Sequence, residues 1–199
     1  MTVAEERGYA KGRAKRVEII DRATALFGEG GYRGTSLREI AARCGISHSG
    51  LLHHFPTKQA LLTAVLEHRD EQDVERFFPP AVRGVDQLRR VVALAAHNES
   101  RRGIVDLYAV LSAEATVADH PAHDYFVRRY RSTLAAMTDA YEQARAQGAL
   151  RDGVEPTIAA RKLIAVMDGL QLQWLLDGGA TPMTEVVRQH LQEQLTVPL

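Results

Sequence analysis

The chain has 199 residues, of which 45 % are apolar and 25 % charged, so it can bury a sizeable core without disulfide or metal staples. A lone cysteine, Cys44, excludes an internal disulfide framework and fits a reducing, cytoplasmic compartment. No apolar run approaches the roughly 20 residues of a membrane span, and the N-terminus has no signal-peptide core. The formal charge is zero but uneven. Residues 1–60 hold ten Lys and Arg against six Asp and Glu, and the remainder holds fifteen against nineteen. A basic end carrying His48, His53 and His54 suggests an anionic partner such as DNA, with chance unevenness as the alternative.

Residues 1–12 are polar, contain Gly8 and Gly12, and read as a flexible arm. Spacing then predicts helices almost throughout, an all-α chain. The first runs from about Arg13 to Glu29, with Ile19, Ile20, Ala23, Leu26 and Phe27 on its apolar face and Gly30-Gly31 ending it. Ser36 and Glu39 form a capping box for the second, whose buried stripe is Leu37, Ile40, Ala41 and Cys44. Gly45 stops it. Ser47 caps a short third helix reaching about His54, and Thr57 caps a fourth that buries Leu61, Leu62, Val65 and Leu66. After Pro79-Pro80, helices are expected at about 85–97, 103–117, 122–147, 156–177 and 183–195.

Helix, glycine turn, short helix and capped helix between Thr35 and Lys58 make a helix-turn-helix pattern, whose second helix enters the DNA major groove. The short helix has Leu51 and Phe55 to bury, while Ser47, His48, Ser49, Gly50 and His53 face elsewhere. Gly50 costs roughly 1 kcal/mol of helix propensity, which makes sense where something approaches closely.

This stretch resembles the DNA-binding head of the tetracycline-repressor (TetR) family. The resemblance lies in Phe27, Gly31, Thr35, Ile40, Ala41, Gly45, Ile46, Ser47, Gly50, Leu51, His54, Phe55, Lys58 and Leu61. It implies a head over 13–60 and a ligand-binding, dimerising body over 61–199. Arg38 would reach a base edge or phosphate, its fork suiting either. His48, Ser49 and Gly50 fall at recognition positions, with Ser47 beside them on the same surface. Thr35, Ser36, His53, His54 and Lys58 match positions that hold the phosphate backbone, which sets register rather than sequence. For His54, bracing against Phe55 is the alternative role. Leu52 stands where many members have a tyrosine; it can touch a thymine methyl but bonds no phosphate.

By the same resemblance, the body encloses a small-molecule pocket and its last two helices pair with a second subunit. Candidate pocket residues are His97, Tyr108, Phe126, Tyr130, Met137, Met167, Gln171 and Trp174, whose scarcity of charge points to a largely apolar ligand. The penultimate helix is apolar nearly all round and must be covered on all sides. Leu163, Met167, Leu170, Met183, Val186, Val187, His190 and Leu191 are the candidate dimer contacts.

Rival readings are weaker. No phosphate loop, nucleophile elbow or paired-carboxylate cluster suggests an enzyme. His120 and His123 lack a third metal ligand nearby, so neither metal nor cofactor is expected. Cys44 lies on an apolar stripe and reads as an inert thiol. A helical protein-binding adaptor and a ligand-independent DNA-binding regulator remain as alternatives. The expected protein is a dimeric one-component regulator, a repressor, that binds a pseudo-palindromic double-stranded operator and is released by a small molecule.

Overall fold

The computed structural model describes the backbone of Val3–Leu199 and the side chains from Lys11 onward. Within those residues it is all-α: α1 Val3–Gly34, α2 Leu37–Arg43, α3 His48–His54, α4 Lys58–Phe77, α5 Val85–Glu99, α6 Arg102–Glu114, α7 His123–Ala146, α8 Pro156–Leu176 and α9 Met183–Gln192. The expected elements are all present. The largest difference is at the start, where α1 already begins at Val3. The stretch read as a flexible arm is therefore helical from that residue; Met1 and Thr2 lie outside the described residues. Helix formers such as Ala4, Glu5, Glu6, Ala10 and Lys11 outweigh the two glycines. As the glycine pair suggests, the backbone breaks at Gly31 (φ 70°, ψ 166°).

The chain divides into two compact units, Met1–Asp70 and Glu71–Leu199, so the division falls within α4 rather than at residue 60. The first part of α4 belongs with the head because it runs beside α1. Lys58 lies 4.5 Å above the Tyr32 ring and His68 sits 3.8 Å from Asp21. Leu61, Leu62, Val65 and Leu66 are fully buried there, with Ile19, Phe27, Ile40 and Leu51.

In the body, α5 packs on α9 and α7, and α8 packs on α6, α7 and α9. Helix starts are fixed locally. Glu155 accepts the Ile158 N–H at 2.8 Å beneath Pro156, and Gln147 accepts the Val85 N–H at 3.2 Å. The core gathers around Leu88, Leu111, Tyr141 and Leu163.

The residues expected at the dimer contact divide by burial. Leu163, Leu170, Met183, Val187 and Leu191, expected as dimer contacts, are at most 6 % exposed in the single chain. They build the protomer's own core. Met167, Val186 and His190 are half-buried. The large apolar residues that α8 leaves in solvent are Ile158, Leu172 and Leu176, at 50 %, 54 % and 79 % exposure. An all-round apolar helix carries no periodic signal to tell its two apolar faces apart.

Candidate nucleic-acid interface

Two seven-residue helices, α2 and α3, carry the site and pack on each other. Helices so short are marginal alone and depend on caps and burial. Ser36 Oγ accepts the Glu39 N–H at 3.1 Å, and Ser47 Oγ accepts the Gly50 N–H at 3.0 Å. Thr57 Oγ1 accepts the Ala60 N–H at 3.0 Å and starts α4. Ile40 and Ala41 anchor α2 and Leu51 anchors α3, all nearly fully buried. Cys44 completes that stripe, and burial raises its thiol pKa, which keeps it protonated and unreactive.

With those residues inward, Ser36, Arg38, Ser47, His48, Ser49 and His53 are exposed, and Gly50, Leu52 and His54 are half-buried. The His53 and His54 rings meet edge-on at 5.9 Å. Arg38 stands on the first turn of α2, and His48 and Ser49 on the first turn of α3. Ser47 and Ser49 hydroxyls lie 3.0 Å apart, so Ser49 is bonded to the capping hydroxyl. Gly50 has a local reason as well: a Cβ there would stand 3.2 Å from Ser47 Oγ.

Thr35, expected at the phosphate backbone, turns its side chain inward. It is buried, and its hydroxyl lies 3.0 Å from the carbonyls of both Leu26 and Gly31. The side chain ties the end of α1 instead of reaching outward. Lys58 is also partly committed. Its ammonium lies over Tyr32 and donates to the Arg33 carbonyl at 3.4 Å, and burial lowers its pKa.

Two residues that sequence reasoning missed hold this site from α1. Lys15 Nζ donates to the Cys44 carbonyl at 2.8 Å, and Arg16 Nη1 donates to the His54 carbonyl at 2.8 Å. These contacts span 29 and 38 residues, and no local pattern encodes them.

The eight candidate pocket residues fall into separate contact groups. Tyr108, Phe126 and Tyr130 cluster with Tyr125, a residue that sequence reasoning missed. The Tyr108 and Tyr125 hydroxyls are 2.8 Å apart, Arg129 lies 5.2 Å from the Tyr108 ring, and Tyr130 donates to Asp168 at 2.8 Å. His97 instead packs on Phe77 and meets Arg101 at 3.1 Å. Trp174 lies under Arg102. Met137 is buried, and Met167 and Gln171 are half-buried. A surface cavity of about 260 Å³ opens elsewhere, between α5, α9 and Leu199, and none of the eight lines it. Among the described residues no group of three or more His, Cys, Asp or Glu is placed to hold a metal ion, and no helix is long and apolar enough to cross a membrane. His120 and His123 make local contacts, with the Ala122 N–H and the Ala115 carbonyl.

Comparison with known proteins settles the family. Residues 19–65 match the model of bacterial regulatory proteins of the tetR family, and residues 84–196 match that of the BetI-type transcriptional repressor C-terminal region. The chain belongs to the tetR family. It is a transcriptional regulator with a helix-turn-helix DNA-binding head. It is 24 % identical over 184 residues to the HTH-type transcriptional repressor KstR2 of Rhodococcus jostii, covering 89 % of this chain and 87 % of that protein. SmeT, the repressor of a Stenotrophomonas maltophilia multidrug efflux pump, has a similar fold in its triclosan complex, with a TM-score of 0.77 at 24 % identity, covering 93 % and 95 % of the two chains. A putative regulator from Saccharomonospora viridis in complex with choline gives 0.76 at 21 % identity, covering 90 % and 96 %.

Proposed function

We propose that this family member is a cytoplasmic, ligand-released repressor that binds a pseudo-palindromic operator as a homodimer. The observation that carries the reading is α3: a seven-residue helix capped at its start and held at its end, with His48, Ser49 and His53 exposed in a basic head. Burying Leu51 while leaving polar groups outward is what a groove-reading helix requires. His48, Ser49 and Arg38 read base edges; Ser36, His53, His54 and Lys58 hold phosphates.

A second copy covers Ile158, Leu172 and Leu176 of α8, giving the twofold arrangement that matches an inverted repeat. A small molecule binds the body better when the heads are wrongly spaced for the operator, which lowers DNA affinity by population shift. The aromatic group around Tyr108 and Phe126 favours a largely apolar effector. Complexes of SmeT with triclosan and of the S. viridis protein with choline support a ligand-binding body, and their unlike ligands show that effector chemistry does not follow from the fold.

The test is selection of random-sequence duplexes by the purified chain at two salt concentrations. An enriched inverted repeat, bound more weakly as salt rises, supports the proposal. No enrichment by folded protein would remove it. Arg38→Ala and His48→Ala should each weaken the selected duplex by about 1–3 kcal/mol. Lys58→Ala should weaken all sequences alike and lower the salt slope by about one.

A further inference from the structure

We propose that Arg16, aided by Lys15, is a positioning residue for DNA recognition, holding the recognition helix at its C-terminal end without reading DNA itself. The inference rests on α3 being the DNA-reading helix. The last carbonyls of a helix have no partner within it, and in a seven-residue helix they are a large share of the backbone. Arg16 Nη1 donates to one of them, His54, at 2.8 Å, while its guanidinium carbon lies 4.1 Å from the Phe55 ring centroid. The next residue back, Lys15, donates to the Cys44 carbonyl at the end of α2 and pairs with Glu18 at 3.0 Å. Adjacent residues of α1 therefore grip the C-terminal ends of both helices of the motif, where a cation also meets the negative end of the helix dipole.

The chemistry is specific to arginine at position 16. A planar fork donates in its plane while its face lies on an aromatic ring, and it loses less side-chain freedom per hydrogen bond than a flexible ammonium does. Ser47 fixes the start of α3 and Arg16 its end. Loss of the Arg16 contact leaves His48 and Ser49 in place but less firmly aimed. Base readout depends on that aim far more than backbone contacts do, because base edges demand bidentate geometry. Discrimination should therefore suffer before general DNA affinity.

The experiment uses the full chain, the duplex recovered by selection and a scrambled duplex of equal length, over a range of salt. Arg16→Met keeps a long side chain over Phe55 and removes the fork. It should weaken the selected duplex about ten-fold, leave the scrambled duplex within two-fold, and leave the salt slope unchanged. Arg16→Lys should restore only part of the loss, and Lys15→Met should lose less than Arg16→Met. Equal weakening on both duplexes with a slope lower by about one would overturn the proposal and make Arg16 a phosphate contact. Unchanged affinity on both would overturn it outright. Thermal melting checks the fold; if Arg16→Met is unfolded at the assay temperature, Arg16→Lys decides the question by the same criteria. If the wild-type chain selects no repeat, the DNA reading itself fails. If it does and Arg16→Met still discriminates, only this inference fails.

Discussion

In the head, two seven-residue helices carry the site, and each side chain has a nameable local role as cap, anchor or outward group. In the body, helices of 10 to 24 residues bury long apolar stripes, and many side chains share one role. Short helices must be pinned by particular hydroxyls and glycines at particular positions, so their sequence specifies roles. Long helices gain stability from area, and area is nearly indifferent to which apolar residue faces which way.

The sharpest way to break that contrast is to separate the two faces of α8. Leu163→Ala removes a side chain only 1 % exposed and should cost about 2–5 kcal/mol in denaturant unfolding. Leu172→Glu, on the 54 % exposed face, should leave the protomer's fold within about 0.5 kcal/mol and loosen the dimer, read by sedimentation over a concentration series. The reverse pattern would exchange core and interface.

A smaller effect compares one glycine from each unit. Gly84 adopts φ +59° and ψ −130°, and a Cβ there would stand 2.5 Å from Gln147 Oε1, the group that caps α5. Gly84→Ala should cost about 1–3 kcal/mol through backbone strain and the displaced cap. Gly45, in the turn between α2 and α3, has φ +63° but open space around it. Its alanine variant should cost about 1–2 kcal/mol, and Gly45→Asn should recover part of that. Thermal melts of the three variants rank them. A costlier Gly45→Ala would mean that the head's turn is more tightly specified than its surroundings suggest.

These contrasts explain what is legible in the sequence. Capping hydroxyls Ser36, Ser47 and Thr57 act within three residues, so their signals survive in a linear reading and the helices of the head appear where expected. The inward turn of Thr35 is hard to see in a linear pass because one of its carbonyl partners, Leu26, lies nine residues back, across the break at Gly31. Arg16 and Lys15 are invisible for the same reason at longer range. In the body, helix bounds are legible from breakers such as Pro156 and Gly178. The split of Leu163 from Leu172 is not, since both lie on a helix with too few polar residues to mark its solvent side.

The smallest expected effect probes the polar link between α7 and α8. Tyr130 is 38 % exposed, and its hydroxyl donates to Asp168 at 2.8 Å. Burial first, and then the neighbouring carboxylate, push its pKa up to about 12. In the unfolded chain a phenol titrates near 10. Between about 10 and 12 the folded state therefore holds a proton that the unfolded state has lost, so stability falls as pH rises through that interval. Below it both states are protonated and the group contributes no pH dependence. Tyr130→Phe should remove this alkaline slope with little change at neutral pH. The tyrosinate absorbance of the wild type, less that of the variant, gives the midpoint directly. A midpoint near 10 would mean that in solution the hydroxyl is neither buried nor bonded to Asp168. A midpoint near 12 would mean that an effector must displace Asp168 before it can use that hydroxyl, so Tyr130 would contribute ring surface to binding before it contributed a hydrogen bond.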